Sequence, residues 1–387
     1  MKIIDLFCGC GGMSLGFQNA GFEIVASIEL WDEAIQCYSN NFLHPVKRID
    51  LSDTENAVTV LLNYSPEVII GGPPCQDFSG AGKREEGERA NLTVAFANII
   101  KEMKPRFFIM ENVERATLSN AYKEAKETFL KSGYGLTEKV LDASFCGVPQ
   151  KRKRFFCIGE MNGVHSFLDG LLSTNQSVFP LTVKEYFNEK QYLLNFENYY
   201  RHPRSYKRRG IFSVNEPSPT IRGVNRPKPE NYNAHQGDSA LPADIRSLTY
   251  TERALIQTFP PTYKWGSSSV ASIEQMIGNA VPVNLAEYVA NCLMKYINGE
   301  TDLHNLRFID WLKVNKDLSP AVAGDTLSRL GRAKKILPLD NSCDSYIKTL
   351  SNTQQFNNIS PSVQAQMKRA IRLYFEYIAD IKENSDE

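Results

Sequence analysis

A cysteine that directly follows two prolines is the residue of this sequence whose position most strongly indicates chemistry. Cys75 comes after Pro73 and Pro74, and the apolar run Val68–Ile70 lies just before them. Proline restricts its own φ angle, so the pair stiffens the approach to the thiol and aims it. At the carboxyl end of a parallel strand such a thiol lies where open sheets bind ligands, which indicates a nucleophile. A buried structural cysteine, the commonest fate of a free thiol, is the alternative.

A carboxylate and a pair of arginines follow later apolar runs. Glu111 and Asn112 end the run that begins at Phe107, which brings a carboxylate to the predicted edge that carries the cysteine. A nucleophile beside a carboxylate suggests a reaction with an acid partner. Further along, Arg152 and Arg154 lie at the start of another predicted strand, where they could anchor a phosphate or a base.

A glycine-rich turn near residue 10 indicates a cofactor site. The segment Asp5–Phe17 joins a predicted strand to a predicted helix through several glycines, and Glu29 ends the next strand. Glycines let a ligand approach the backbone, and the helix amides face it. The acid suits ribose hydroxyls, so the turn could serve a dinucleotide or a nucleoside such as S-adenosylmethionine. Cys8 and Cys10 have no second cysteine pair, so we predict no metal site.

Strand-length apolar runs alternate with amphipathic stretches through the first 160 residues. Such alternation predicts an α/β fold with a parallel sheet that helices cover on both faces. The predicted strands are Lys2–Leu6, Glu23–Ile28, Val68–Ile70, Phe107–Met110, Glu138–Asp142 and Arg154–Ile158. The predicted helices include Asp32–Asn41, Ala90–Met103, Leu248–Phe259 and Val283–Ile297.

Two other parts of the chain have different patterns. From about 161 to 245 polar residues, proline and tyrosine dominate and periodicity is poor, which predicts a loop-rich second domain. Beyond about 300 helical segments return, and Ser319 and Ser360 each precede a proline, which is a helix-start signature. We therefore predict a small helical extension at this end.

Composition indicates a globular protein and excludes the disordered, collagenous, secreted and membrane classes. Of the 387 residues 42% are hydrophobic and 23% charged. No apolar run reaches the roughly 18 residues of a membrane span. The chain passes from Met1 straight into a predicted strand, which leaves no room for a signal peptide. The eight cysteines form no disulfide or zinc-finger pattern, so we expect reduced thiols in the cytoplasm.

Charge is balanced overall but uneven along the chain. Lys and Arg together number 44, as do Asp and Glu, so the formal net charge is zero. Between Tyr199 and Lys228, however, eight basic residues accompany one acid, Glu216. Four more basic residues fall between Lys151 and Arg154. Such runs are often only solvated surface, but beside these motifs they indicate a polyanionic partner.

In their order along the chain, these segments resemble the motifs of the cytosine-C5 DNA methyltransferases, over roughly residues 2–298. Asp5–Phe17 is similar to the family's cofactor motif, and Gly72–Ser79 with Ala81–Arg84 is similar to its catalytic motif. The other similar segments are Arg89–Leu92, Glu111–Val113, Gln150–Arg154, Arg246–Pro260 and Gln275–Pro282. Seven motifs in the family's order leave little room for chance.

The resemblance implies an α/β fold: a Rossmann-like S-adenosylmethionine-dependent methyltransferase sheet, a smaller loop-rich target-recognition domain and a helical C-terminal extension. Residues 1–160, completed by about 273–298, would form the catalytic and cofactor-binding domain. Residues 161–272 would form the target-recognition domain, and 299–387 an extension of unknown role.

The resemblance also implies a mechanism. Cys75 would attack C6 of a cytosine that is flipped out of duplex DNA, and C5 would then take a methyl group from S-adenosylmethionine. Glu111, as a neutral acid or hydrogen-bond partner, would stabilise charge at N3, and Asn112 would orient it. Arg152 would contact the pyrimidine O2 or the surroundings of the cysteine, and Arg154 would help to hold the loop and a phosphate.

The implied binding residues form two sets. Because Leu30 stands where some members have an adenine-stacking tryptophan, it would pack on the ring without stacking, and Trp31 would belong to the core or surface. The cofactor set comprises Phe7, Gly9, Gly11, Gly12, Glu29, Leu30, Asp50, Pro74, Leu92 and Asn279. The DNA-binding set comprises Gln76, Ser79, Lys83, Arg84, Gln150, Arg208, Arg209, Thr220, Arg222 and Arg226. Arginine is the commonest reader of guanine, so Arg222 and Arg226 are candidates for base contacts.

Three alternatives remain open beside a DNA enzyme of a bacterial or phage modification system. One branch of the family methylates tRNA, but its Cys-Phe-Thr signature is missing, and its catalytic motif usually has Thr where this chain has Ser79. A NAD-dependent oxidoreductase would leave Cys75 and Glu111 without a role, and a non-catalytic DNA-binding protein would not need them intact. For the DNA enzyme we expect a monomer on duplex DNA, with a restriction endonuclease as the partner in its system.

Overall fold

The computed structural model describes residues 1–74, 91–203, 205, 207–300, 303–339 and 342–383. Five predicted site residues lie outside these ranges, namely Cys75, Gln76, Ser79, Lys83 and Arg84. The chain divides into two compact units. The first consists of Met1–Gly135, Val140–Gly163 and Pro180–Ala290, and the second of Leu136–Lys139, Val164–Phe179 and Asn291–Glu387. Most of the expected recognition domain falls within the first unit, and the three-domain division stays a prediction.

The largest sheet confirms the predicted α/β class. The strands are β1 (Lys2–Leu6), β2 (Glu23–Glu29), β3 (Val46–Arg48), β4 (Val68–Gly71), β5 (Phe107–Val113), β6 (Tyr134–Asp142), β7 (Gln150–Lys151), β8 (Lys153–Met161), β9 (Asn198–Tyr200), β10 (Ile211–Ser213) and β11 (Ser218–Pro219). Among the described residues, seven of them form one sheet in the order β3-β2-β1-β4-β5-β8-β6. The strands from β3 to β5 are parallel, whereas β8 is antiparallel to β5. The sheet is therefore mixed, as is common for α/β folds with an antiparallel edge.

Helices in the first unit join these strands and follow them. They are α1 (Gly12–Asn19), α2 (Asp32–Ser39), α3 (Thr54–Leu61), α4 (Asn91–Met103) and α5 (Asn120–Lys131). Strand β4 is buried throughout, and β5 is buried except at Val113, because helices cover both faces of a sheet of this kind. This burial explains why both strands are unbroken apolar runs in the sequence. The predicted bounds of β1 are correct, and α2 ends at Ser39, two residues before the predicted end.

The loop-rich part of the first unit contains little regular structure, as predicted. Besides α7 (Val183–Glu189), α8 (Tyr250–Ile256) and α9 (Val270–Asn279), it has β9 paired with β10 and β11 paired with β7. Tyr199, Phe212 and Ile221 share one buried cluster with Cys10 and Tyr38. This part therefore packs on the elements that carry the glycine-rich turn instead of forming a core of its own.

The second unit is mostly helical and has its own buried core. Its helices are α6 (Asp169–Thr174), α11 (Leu303–Lys316), α12 (Pro320–Ile336), α13 (Cys343–Ser351), α14 (Gln354–Asn357) and α15 (Pro361–Glu383). Helix α10 (Val283–Ile297) begins in the first unit and ends in the second, and it has the predicted bounds. Leu327, Tyr346, Phe356 and Ile371 are among its buried residues. Ser319 caps α12 by accepting a hydrogen bond from the Val322 amide, which confirms this helix start. No helix in the described ranges is long and apolar enough to cross a membrane.

Candidate active site and cofactor cavity

The glycine-rich turn needs its glycines for different reasons. Gly11 has a φ angle of 90°, in the left-handed region that favours glycine. A Cβ atom on Gly12 would lie 2.3 Å from the Val281 carbonyl oxygen, so the turn can pack there only without a side chain. A Cβ on Gly9 would meet no described atom within 4 Å, which leaves open space above the turn. The sequence thus places α1 against the segment that follows α9 and leaves Gly9 accessible to a ligand.

Two carboxylates flank this turn. Glu29, at the end of β2, accepts hydrogen bonds from the amides of Gly9 (2.8 Å, to Oε2), Leu30 (2.8 Å, to Oε1) and Trp31 (3.0 Å, to Oε1). These bonds fix the carboxylate, and Oε2 keeps a lone pair for a further donor. Asp50 accepts from the Ser52 amide and hydroxyl, and these two bonds hold the pKa of Asp50 below its usual value.

An open cavity of about 1720 Å³ at the carboxyl edge of the sheet brings the predicted residues together. The predicted cofactor residues that line it are Phe7, Gly9, Gly12, Glu29, Leu30, Asp50, Pro74, Leu92 and Asn279. Gly11 instead faces the rings of Tyr38 and Phe42. Trp31, expected in the core or on the surface, lines the cavity as well. The cavity thus combines the fixed Glu29 carboxylate, the open backbone at Gly9 and apolar side chains such as Phe7 and Leu30. This combination fits a nucleoside cofactor.

Glu111 is the buried acid of this site. Its side chain lies 2.8 Å from the Arg154 Nε atom, and a Cβ on Gly72 would be 3.2 Å from Glu111 Oε2. Burial raises the pKa of Glu111, although the charges of Arg154 and Arg152 oppose that shift. Asn112 donates from its side-chain amide to the Pro73 carbonyl at 3.3 Å. The end of β5 therefore contacts the residues that lead to Cys75.

Arg152 is buried among backbone carbonyls. Its guanidinium donates to Ile221 (2.9 Å), Gly278 (2.9 Å) and Ala280 (3.0 Å). These carbonyls belong to two segments that are 69 and more than 100 residues away in the chain. Arg152 also lines the cavity, so it joins the cavity wall to the loop-rich part of the unit.

Gln150, which was predicted to contact DNA, lies inside the protein. It is fully buried, donates to the Gln257 side chain at 2.7 Å, and accepts from the Ile221 amide at 2.9 Å. An amide with its donor and acceptor used inside the protein braces the backbone and is not exposed to a duplex. Its partner Gln257 in turn donates to the carbonyls of Ile277 and Ala280.

The basic stretch lines the same cavity. Arg208, Arg209, Thr220, Arg222 and Arg226 all contribute to its wall. Arg209 forms an ion pair with Glu216, and Arg222 donates to the His202 carbonyl, so both have protein partners. Thr220 donates to the Lys151 carbonyl at 2.8 Å, which aligns β11 with β7.

A sheet of this order, with a nucleoside-type cavity at its carboxyl edge, is that of a Rossmann-like methyltransferase. The chain belongs to the C-5 cytosine-specific DNA methylases, whose family model matches residues 1–295. It is 52% identical over 299 residues to the type II methyltransferase M.HindV of Haemophilus influenzae, covering 76% of this chain and 97% of the relative. It is 54% identical over 299 residues to M.HgiDI of Herpetosiphon aurantiacus, covering 77% and 96% of the two chains.

Solved structures agree on the fold. The S. pombe Dnmt2 methyltransferase matches 77% of this chain and 99% of its own, with a TM-score of 0.60 and 19% identity. An E. coli prophage enzyme described as a putative DNA modification methyltransferase matches 77% and 99%, with a TM-score of 0.54 and 22% identity. The family match confirms S-adenosylmethionine as the cofactor and C5 of cytosine in DNA as the target, and it favours DNA over tRNA.

Proposed function

We propose that Cys75 is the nucleophile and that it attacks a cytosine flipped out of a specific duplex sequence. The thiolate would bond to C6, and the electron pair of the C5–C6 double bond would move through C5 toward N3. A proton at N3 would leave C5 as the nucleophilic carbon, which would take the methyl group while the electrons of the broken S–CH3 bond remain on the cofactor sulfur. Loss of the C5 proton to a base would then re-form the C5–C6 double bond and expel Cys75 with the electrons of its S–C6 bond, and N3 would return its proton to Glu111. Flipping costs a few kcal/mol, which the pocket offsets.

The observation that carries this proposal is the buried carboxyl of Glu111 beside Gly72. A raised pKa keeps a carboxyl neutral at higher pH, which suits an acid that gives a proton or hydrogen bond to N3. Asn112 would hold the Pro73 carbonyl and so set the start of the loop that carries Cys75. Arg154 would orient Glu111 through their short contact.

For the cofactor, Glu29 would bind the ribose hydroxyls and Asp50 the adenine amine, with Leu30 against the ring. The open backbone at Gly9 and the cavity wall at Asn279 support this arrangement. When bound, S-adenosylmethionine supplies an electrophilic methyl group on a sulfonium. The remaining predicted cofactor contacts that line the cavity are those of Phe7, Gly12, Pro74 and Leu92, whereas Gly11 would shape the turn.

Arg152 would support the reaction mainly by holding the backbone of the cavity wall in place. Its three carbonyl bonds support a role in holding the cavity wall, with the guanidinium close enough to affect Glu111. Contact with the pyrimidine O2 or the surroundings of Cys75 remains part of the proposal.

DNA would bind across the basic side of the cavity, where Arg208 and Arg226 would contact phosphates or base edges. Arg209, Thr220 and Arg222 would assist, with Gln76, Ser79, Lys83 and Arg84 on the segment after Cys75. We propose that 161–272 form the target-recognition domain and that the enzyme acts as a monomer in the cytoplasm. A restriction endonuclease of the same recognition sequence would be its partner in the system, without a stable complex.

The test is transfer of tritium from labelled S-adenosylmethionine to unmethylated duplex DNA, with tRNA in parallel and Cys75→Ser as the control. We expect label in DNA as 5-methylcytosine, none in tRNA, and none with the variant. Sequencing of the product would identify the target site. Equal labelling by Cys75→Ser would refute the nucleophile, and label confined to tRNA would refute the substrate.

A further inference from the structure

The charge of the helical second unit is distributed unevenly. Residues 291–387 contain thirteen basic and twelve acidic residues, so this part of the chain is almost neutral. Within it, however, the segments 326–339 and 352–375 contain no acid. Their seven basic residues are Arg329, Arg332, Lys334, Lys335, Lys368, Arg369 and Arg372. Positive charge is therefore concentrated on α12 and on the first part of α15.

Helical spacing and one hydrogen bond join five of these cations into a patch. Arg329 on α12 donates from Nε to the side-chain oxygen of Gln366 on α15 at 2.7 Å. Residues three positions apart are neighbours on the surface of a helix. At such steps from Arg329 and from Gln366 lie Arg332 and Lys335 on α12 and Arg369 and Arg372 on α15. Together with Arg329, these four residues are called the basic patch below.

The patch holds like charges close together. Burial and the charge of Arg329 lower the pKa of Arg332. Burial and the charge of Lys295 likewise lower the pKa of Lys335, which donates to the Gln176 carbonyl. Such repulsion disfavours the charged forms, and a nearby anion would relieve it.

Acids of the same helices neutralise little of this charge. Asp325 is the single acid in the sequence of α12, and its side chain is 60% exposed and 3.7 Å from Arg329. On α15 the acids begin at Glu376, after the patch, and Glu376 forms an ion pair at 2.7 Å with Lys316 of α11. Asp380 accepts a hydrogen bond at 2.7 Å from a tryptophan of α11. The acids of α15 thus hold α11, and the patch keeps its positive charge for a partner.

The side chains near the patch indicate which polyanion fits it. Proteins that bind single strands stack the bases on exposed aromatic rings. The sequence of α12 contains no aromatic residue, and Tyr374, Phe375 and Tyr377 of α15 are buried or half-buried. The six residues from Arg329 to Lys335 extend about 9 Å along the helix, and a duplex presents about five charges over that length. Cations without a stacking surface therefore suit the backbone of a duplex.

We propose that the basic patch is a second binding surface for duplex DNA, which holds the phosphate backbone without reading its sequence. The chain acts on DNA, so its substrate supplies the partner. The patch lies beyond residue 295, where the match to the methylase family ends, and outside the residues of methyl transfer. It would add affinity that does not depend on the target site and so keep the enzyme on DNA between sites.

The first experiment measures binding of the full-length protein to a 30-base-pair duplex made only of A·T pairs. This duplex contains no cytosine, so neither the target site nor the reaction affects the result. Arg369→Gln/Arg372→Gln removes two exposed charges and should weaken binding roughly tenfold. The slope of log K against log salt should become shallower by about 1.8, or about 0.9 for each lost phosphate contact. Arg369→Lys/Arg372→Lys should keep the wild-type slope, because a phosphate contact needs the charge and not the guanidinium.

Lys101→Gln/Lys131→Gln is the matched control. It removes the same charge from α4 and α5, at exposed lysines that already pair with Glu102 (3.3 Å) and Glu127 (3.2 Å). Its slope should equal that of the wild type. An equal loss in this control would overturn the patch, since net charge alone would then explain the effect. Should the double glutamine variant not fold, Lys335→Gln and Arg369→Gln decide singly, and wild-type slopes in both would overturn the proposal.

The second experiment measures methylation of plasmid DNA at 150 mM salt. The Arg369→Gln/Arg372→Gln variant should have a KM for DNA raised several-fold, with the single-turnover rate at saturating enzyme and the affinity for S-adenosylhomocysteine unchanged. A lower single-turnover rate with an unchanged KM would contradict a surface that only holds DNA.

The remaining outcomes separate this inference from the proposed function. Weaker binding of tRNA or of a single-stranded oligonucleotide, with duplex binding unchanged, would overturn duplex DNA as the partner. If the wild-type protein transfers no methyl group but its binding of the A·T duplex still depends on the patch, the proposed reaction fails and the second surface stands.

Discussion

Replacing Glu111 by glutamine separates the acid function of this site from its architecture. A glutamine side-chain oxygen can still accept from Arg154, whose Nε atom lies 2.8 Å from the native carboxylate. The neighbouring bond from Asn112 to Pro73 does not involve the replaced group. The change therefore removes an ionisable proton while it keeps the shape of the pocket.

The size of the expected changes in reaction rate and in folding free energy follows from these contacts. General acid catalysis contributes about 10²–10⁴-fold, which corresponds to roughly 3–5 kcal/mol of transition-state stabilisation. The contact with Arg154 loses the charge of its acceptor but keeps that of its donor, which should cost about 1 kcal/mol of folding free energy. We expect the rate of methyl transfer to fall at least 100-fold, with S-adenosylhomocysteine affinity unchanged.

The pH dependence provides a second readout. Because burial raises the pKa of Glu111, its acid form persists to higher pH than that of an exposed glutamate. The wild-type rate should decline as the pH rises through that pKa, when Glu111 loses its proton. Glutamine does not titrate, so this decline should be absent from the variant.

The assay is single-turnover methylation of duplex DNA with saturating enzyme, followed from pH 5 to 9, with cofactor affinity measured separately. Glu114→Gln is the matched control, since Glu114 is half exposed and lies 3.7 Å from Lys153 on the same part of the chain. A Glu111→Gln rate within threefold of wild type, with an unchanged pH profile, would refute the acid role.

Three further changes test other parts of the structure. Gly12→Ala should abolish binding of S-adenosylhomocysteine, because its Cβ would lie 2.3 Å from the Val281 carbonyl oxygen. Normal affinity by calorimetry would contradict this. Gly21→Ala is the control, since Gly21 has a φ angle of 90° but a Cβ there would meet no described atom within 4 Å. Arg152→Met should lower the free energy of unfolding in urea by at least about 3 kcal/mol, because three buried carbonyls lose their donor, and a loss below 1 kcal/mol would argue against that brace. Ser319→Ala should lower the free energy of unfolding in urea by about 1 kcal/mol, because α12 loses its N-terminal cap. Ser319→Asp should keep the wild-type value, because aspartate also caps helices.

The sequence predicted the elements whose signals are local. The apolar run of β1 and the amphipathic spacing of α10 produced correct bounds because each depends on neighbouring residues. The three-residue strand β3 was missed, since its Val46–Arg48 segment is short and only partly buried. The antiparallel direction of β8 also has no local signal, because it depends on which strand lies beside it in the sheet.

The candidate site followed a similar division. The order of the motifs and the types of residue, above all a cysteine after two prolines and an acid after an apolar strand, were enough to identify the family and the cavity's main residues. Glycine positions were also predictable, because a turn that approaches a ligand excludes side chains. The glycine positions depend on backbone geometry, and the cysteine and the acid have the same reactive groups in any surroundings, so a sequence alone can identify them.

Only the tertiary structure decided which polar side chains the protein uses internally. The sequence predicts Gln150 as a DNA contact and Arg152 as a contact of the pyrimidine O2 or of the surroundings of Cys75, yet both bind the distant segment at Ile221. The hydrogen bonds from Tyr38 through Ser14 to Asp5 join α2 to the glycine-rich motif, and no sequence pattern connects these two segments. The physical reason is that a buried polar group takes its partner from whatever packing brings within hydrogen-bond distance, and packing joins parts of the chain that no local pattern connects.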